Sequence, residues 1–221
     1  MQQMNWSDLN LFQYQQLVKA LSIEDDIDKT VKLVSIVTNK TENEVLSMSI
    51  ADFNKEKEKL NFLSEEIQGK PVKYIKVNGR KYKCIYDVRN IPAARYVESK
   101  VFGADLVNNI HKMAATMVMP MKKTIFGWKV DKYNAADHEQ YSQDMLEARF
   151  VDVYHSAVFF LSVYLNWIKV SEDYLMEELK KMKIPLEEAE AVQDFLKYMD
   201  GTIQYMRLPN STISKLKKHG I

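Results

Sequence analysis

The stretch Lys70–Asp87, KPVKYIKVNGRKYKCIYD, decides how this chain is read. Asn78-Gly79 stands at its centre, and a type I′ turn needs two residues that tolerate positive φ. A two-residue loop fixes the register of the strands beside it. Val77 then faces Arg80, Lys76 faces Lys81, Ile75 faces Tyr82 and Tyr74 faces Lys83; Lys73 faces Cys84 and Val72 faces Ile85. One face of the ribbon carries Val77, Ile75, Tyr82 and Cys84. The other carries Val72, Tyr74 and Ile85, with Lys76, Lys81 and Lys83 toward the tip. Facing like charges weaken such a ribbon, and an isolated hairpin is marginal in water. This one must lean on helices or on another chain.

Working outward, the rest of the sequence reads as helices. Ser7 is placed to cap a helix through Leu21, with Leu9, Phe12, Leu17 and Leu21 near one face. The acidic cluster Glu24–Asp28 suits the N-terminus of a second helix, Asp26–Val37, where the macrodipole favours negative charge. Thr41-Glu42-Asn43-Glu44 is a capping-box pattern for a short helix, Glu42–Met48. Ser49 is placed to cap Ile50–Ile67, whose apolar stripe is Phe53, Leu60, Leu63 and Ile67. Gly69-Lys70-Pro71 stops it. Beyond the ribbon, Pro92 suits the first turn of a helix to Gly103. DLVNNIHKMAATMVM predicts another helix, ended by Pro120. Residues 121–135 break the helical period and read as a loop or a short strand pair. Asp137 opens the longest predicted helix, to Ile168. Ser171 caps one to Lys183, Pro185 starts another, and Gly201 ends it. The expected organisation is an N-terminal helical unit (1–68), the β-hairpin (69–88), a C-terminal helical bundle (89–201) and a basic tail (202–221). The fold class is mainly α, a helical bundle with a single β-hairpin insertion at about residues 71–87.

Composition narrows the function classes. The chain has 221 residues, 46% hydrophobic and 28% charged, which suffices for a buried core. A net charge of +1 gives no global field to hold the whole surface on DNA or on an acidic membrane. Cys84 is the single cysteine, so no intrachain disulfide forms and a reducing compartment is favoured. MQQMNWSDLN has neither a basic n-region nor an apolar h-region, so no secretory signal is expected. FVDVYHSAVFFLSVYLNWI, residues 150–168, contains Asp152 and His155, and its apolar run is short of the roughly 20 residues of a spanning helix. It reads as a buried core helix, and no membrane partner is expected.

The sequence predicts no catalytic, cofactor-binding or metal-ligating residues. Asp137-His138-Glu139 is half of a zinc-protease motif, but position 142 is Ser, so the second histidine is missing. His111, His138 and His155 have no ligand spacing. Cys84 has no neighbouring Cys or His to activate it. Phosphate-binding and nucleophile-elbow motifs are absent. The carboxylates of 172–178 and 187–190 read as lying on helix faces with lysines, which a solvated face explains better than acid–base catalysis. An enzyme is not expected.

Candidate partner-binding residues come from the hairpin: Tyr74, Lys76, Arg80, Lys81, Tyr82 and Lys83. Three readings fit them. Lysines and tyrosines together suit phosphates and bases, and Arg207, Lys215, Lys217 and Lys218 add a basic tail. Lysines on a ribbon also discourage edge-to-edge pairing. The hairpin also reads as an arm packed on a neighbouring subunit, with tyrosines as anchors. Met113, Met117, Met119 and Met121 around Pro120 read as core filler or as a re-packable contact surface.

Four segments carry a resemblance: LFQYQQLVKAL, KLVSIVTNKTENEVLSMSIADF, KPVKYIKVNGRKYKCIYDV and DHEQYSQDMLEARFVDVYHSAVFFLSV. They resemble proteins of the structural gene block of crAss-like bacteriophages, short-tailed phages of gut Bacteroides. The resemblance implies a non-enzymatic virion protein assembled in the bacterial host cytoplasm. Its expected role is a collar or ring protein of the head-to-tail assembly. Its partners would be its own copies in a homo-oligomeric ring and neighbouring portal or tail proteins. A tail-assembly chaperone, a packaged cargo protein and a nucleic-acid-binding accessory protein are the alternatives.

Overall fold

The computed structural model describes residues 4–87, 95, 102, 106–164 and 166. Within them the chain is mainly helical with one antiparallel sheet. A 3-10 turn, Trp6–Asp8, precedes α1 (Leu11–Ala20), α2 (Asp26–Thr38), α3 (Glu42–Leu46) and α4 (Ile50–Glu58), which runs into a 3-10 turn, Lys59–Ser64. Strands β1 (Tyr74–Val77) and β2 (Arg80–Cys84) form the predicted hairpin. Helix α5 (Leu106–Thr116), strands β3 (Val118–Thr124) and β4 (Gly127–Val130), a 3-10 turn Ala135–Asp137 and α6 (His138–Glu147) follow. Residues 150–164 form α7. The remainder of the helix expected over 92–103, the helices expected between Ser171 and Gly201, and the basic tail lie outside the described residues.

Local chemistry accounts for most helix starts. Thr41 and Glu44 close the expected capping box on α3. Ser49 accepts from the Asp52 N–H and starts α4. Asp25 accepts from Ile27 and Asp28 at the head of α2, which ends on left-handed Asn39, φ 54°.

Two expected helices are interrupted, and one contact interrupts both. The first does not run from Ser7. Asn5 caps the short turn, Leu9 and Asn10 are extended, and Asn10 caps α1 by a reciprocal bond with Gln13. The long helix from Asp137 likewise breaks at Ala148 and Arg149. The Leu11 N–H donates to Ala148 (3.0 Å), the Phe150 N–H donates to Leu9 (2.8 Å), and Asn10 bridges Arg149. Each break leaves helix-terminal groups without intrahelical partners, and each supplies partners to the other. No periodicity within either segment could announce this.

The hairpin has the expected register, Tyr74↔Lys83, Ile75↔Tyr82, Lys76↔Lys81 and Val77↔Arg80. Asn78 and Gly79 both have positive φ, 50° and 72°. The hairpin is also half of a larger sheet, order β1-β2-β3-β4. The helix expected to reach Pro120 ends at Thr116; the proline keeps only Met119, the residue before it, out of the α region. Val118–Thr124 then pairs with β2, placing Tyr82 beside Pro120. Backbone groups alternate sides along a strand. Pro120 therefore turns its missing N–H toward β4, where the ladder is ending, and its carbonyl there accepts from Asp131 (2.8 Å). The β2 ladder loses nothing.

A main core joins most of these elements. Leu9, Leu11 and Leu17 from the N-terminal helices, Ile75, Tyr82 and Val118 from the sheet, Met113 from α5, Met145 from α6 and Phe150 and Phe160 from α7 are all buried in it. Val31, Val34 and Val45 form a second, smaller cluster between α2, α3 and α4. Trp6, Tyr14 and Tyr154 surround Phe150, with Tyr14 and Phe150 stacked at 4.0 Å. Met113 and Met117 are fully buried, so these two are core filler. No described helix is long and apolar enough to cross a membrane.

Candidate binding surface

The two faces of the sheet have opposite chemistry. On the inner face Ile75, Val77, Tyr82, Cys84 and Val118 are buried. Tyr82 is 1% exposed and meets Tyr141 of α6 edge-on at 5.8 Å. Its hydroxyl donates a short bond to Asp144, and Arg80 grips both oxygens of the same carboxylate at 2.8 and 3.0 Å. Asn78 donates to Glu147 at 2.7 Å. The first hairpin is thus tied to the end of α6 by its tip as well as by its face. Burial, then the bond to Asp144, holds the Tyr82 hydroxyl well above its ordinary ionisation range. Burial also pushes the Cys84 thiol up to about 11, leaving it protonated and unreactive near neutrality.

The six expected partner-binding residues therefore divide. Tyr82 is a core residue, whereas Arg80 is paired with Asp144 with its side chain still half exposed. Pleating sends Tyr82 inward because Ile75, its cross-strand partner, is the most buried residue of β1. Tyr74, Lys76, Lys81 and Lys83 share the outer face. The Lys81 ammonium lies 4.1 Å from the Tyr74 ring centroid and 5.9 Å from that of Trp128, and Lys73 approaches the same tyrosine at 5.5 Å.

The second hairpin extends this face. Met121 pairs with Lys81 and with Val130, and Lys123 pairs with Trp128, so all of these side chains lie on the outer side. All four residues of β4 are exposed. The turn between β3 and β4 holds Ile125 and Phe126, 92% and 94% exposed. Thr124 closes it with a 2.8 Å bond to the Gly127 carbonyl. Lys122 and Asp131 pair beneath it at 3.2 Å. The sequence signal for this tip was present: two large apolar residues before a glycine, between KK and WK. The break of helical period hid it, because a turn is normally polar.

The three histidines among the described residues are held in packing. His111 lies 3.3 Å from the Gln15 amide, and burial lowers its basicity. His138 stacks on Phe102 at 5.3 Å and approaches the Thr116 hydroxyl. His155 packs against Tyr154 and above Gly69. Among the described residues, no group of three His, Cys, Asp or Glu side chains is arranged to hold a metal ion. A cleft of roughly 530 Å³ is lined by Asn5, Trp6, Ser7, Glu65, Glu66 and Gln68. Compared with protein-family models, with curated proteins and with solved structures, the chain matches none of them.

Proposed function

We propose that the protein is a non-enzymatic assembly subunit that holds other protein chains through its projecting sheet. The observation that carries this reading is the Ile125–Phe126 tip. A soluble fold gains nothing by holding two large apolar side chains almost wholly in water, and exposed apolar surface of this kind marks an interaction site. A hairpin presents such a plug with little ordering cost, and the bare β4 edge beside it offers backbone groups to a partner strand.

A second exposed apolar region supports contacts between copies. Leu46 and Ile50, at the junction of α3 and α4, are 65% and 82% exposed. Two unlike patches on one chain suit a heterologous, head-to-tail contact, which closes into a ring when the rotation permits. The resemblance to structural proteins of crAss-like phages supplies the setting. The reading is a collar or ring subunit of a tailed-phage head-to-tail assembly, packed against its own copies and against portal or tail neighbours in the virion.

Native mass spectrometry of the purified chain and of the particle containing it tests this. The expected result is a fixed multi-copy ring in the particle, lost in an Ile125→Asp/Phe126→Asp variant whose circular dichroism is unchanged. A chain absent from finished particles but bound to a tail protein during assembly would replace the ring with the chaperone reading. A monomer indifferent to the double substitution would sink both.

A further inference from the structure

We infer that the outer face of the sheet binds single-stranded nucleic acid, a binding activity separate from the subunit contacts at the tip. The register puts Tyr74, Lys76, Lys81, Lys83, Lys123 and Trp128 on one side of four strands. No carboxylate occupies that side of the described strands. The acidic groups near the sheet are engaged elsewhere: Asp144 with Arg80, Glu147 with Asn78, and Asp131 with Lys122. The face therefore carries four ammonium groups with no compensating charge of its own, although the whole chain is nearly neutral, at +1.

The arrangement is costly without a ligand. Lys76 and Lys81 are direct cross-strand partners, and like charges so placed repel. An anion laid along the face relieves that repulsion. The aromatic rings say which anion. Tyr74 on β1 and Trp128 on β4 lie on either side of the Lys81 ammonium, at 4.1 and 5.9 Å from their centroids. Three strand spacings across the sheet, about 14 Å, and four residues along the strands, about 13 Å, separate their backbones. A strand of unpaired bases crossing the sheet meets a ring, a cation and a ring. Stacking on the rings and neutralisation of phosphates by the lysines are the two components of sequence-tolerant single-strand binding. A duplex has its bases already stacked and offers the rings little. An acidic peptide uses the lysines but not Tyr74 and Trp128.

Fluorescence anisotropy of the full chain with a labelled oligothymidylate tests the inference, with a duplex of equal length and polyglutamate as competitors. Binding of the single strand is expected, falling with salt on a log–log slope of about −3 for four lysine contacts. Tyr74→Ala/Trp128→Ala should weaken it at least about tenfold, since each stacked base contributes about 1–3 kcal/mol. Tyr74→Phe/Trp128→Phe should retain it, which separates the loss of rings from a loss of fold. Lys76→Gln, Lys81→Gln, Lys83→Gln and Lys123→Gln together should abolish the salt slope. Ile125→Ser/Phe126→Ser, which removes the apolar tip without adding charge, should bind as the unaltered chain does, so the tip reading and this one fail independently. No binding at low salt would overturn the inference. So would polyglutamate competing as well as the oligonucleotide, which reassigns the face to an acidic protein. Equal affinity for the duplex, unaffected by removal of the rings, would overturn it too.

Discussion

The two hairpins of the sheet share a two-residue turn and a positive-φ glycine, Gly79 at 72° and Gly127 at 107°, but differ in anchorage. The first is fastened: Tyr82 and Arg80 to Asp144, Asn78 to Glu147, and its inner face to the core. The second leaves α5 through buried Val118 and then departs from the core, until its tip and all of β4 are in water. Turn chemistry makes a hairpin, but anchorage decides whether it is scaffold or probe. Here an integrated hairpin carries a projecting one as the next two strands of the same sheet. The projecting pair inherits a fixed orientation without helices of its own.

The largest test of this contrast removes one aromatic ring from each hairpin. Tyr82→Ala empties a core position and should cost about 3–5 kcal/mol, the range for deleting a buried ring. Phe126→Ala should leave the urea unfolding midpoint unchanged within about 0.5 kcal/mol, as exposed positions do. Equal losses in the two variants would mean that the second hairpin is also part of the scaffold.

Where the first hairpin meets α7, a smaller change should still be felt. A methyl group at Gly69 would lie 2.3 Å from Cδ2 and 2.6 Å from Nε2 of the His155 ring. Gly69→Ala must push the ring or the backbone and should cost about 1–3 kcal/mol by overpacking. Gly69→Ala combined with His155→Ala should recover part of that loss. Failure to recover would mean that the strain sits in the backbone.

How much of this could be read in advance follows a physical division. Some interactions between residues three or fewer positions apart were legible: the Thr41–Glu44 box, the Ser49 cap and the Asn78-Gly79 turn with its register. The Asn5–Asp8 and Asn10–Gln13 boxes were not, since Ser7 offered a competing cap. The inward face of the first hairpin, Ile75, Val77, Tyr82 and Cys84, was legible because pleating is strict. Contacts set by distant partners were not. The bridge between Asn10 and Arg149 breaks two helices that each look continuous alone. Strand β3 forms because β2 presents an open ladder, which outcompetes the helical pattern of MAATMVM near Pro120. Of the proposed binding surface, Tyr74, Lys76, Lys81 and Lys83 were visible. Trp128 and Lys123 were not, since only the second hairpin brings them beside the first.

The Tyr82–Asp144 bond gives a finer test of anchorage. Tyr82→Phe keeps the ring and removes one donor to a carboxylate that Arg80 still holds, a cost of about 1.5 kcal/mol near neutral pH. The effect should depend on pH in a defined direction. Folding raises the ionisation of Tyr82 above its ordinary value of 10.0, so the folded chain holds the proton more tightly. That stability is complete below about pH 10 and is lost as pH climbs through the folded value. The gap between the unaltered chain and Tyr82→Phe should therefore narrow above pH 10 in urea titrations. A gap that widens there would deny the hydroxyl its place on Asp144.

The smallest effect is expected where the backbone is most unusual. Gly127 has φ 107°, well outside the region open to residues with a side chain, while nothing lies within 4 Å of a methyl group placed on it. Gly127→Ala strains the turn without touching any packed atom. The second hairpin buries little at its tip, so it can yield locally while the core stays folded. The unfolding midpoint should move by less than about 0.5 kcal/mol, while amide exchange of Thr124 to Val130 speeds up and that of Ile75 to Cys84 does not. If subunits associate through Phe126 as proposed, that association should weaken in proportion, because the plug loses its fixed orientation. Should exchange accelerate in both hairpins together, the four strands open as one unit, and the division between anchored scaffold and projecting probe falls.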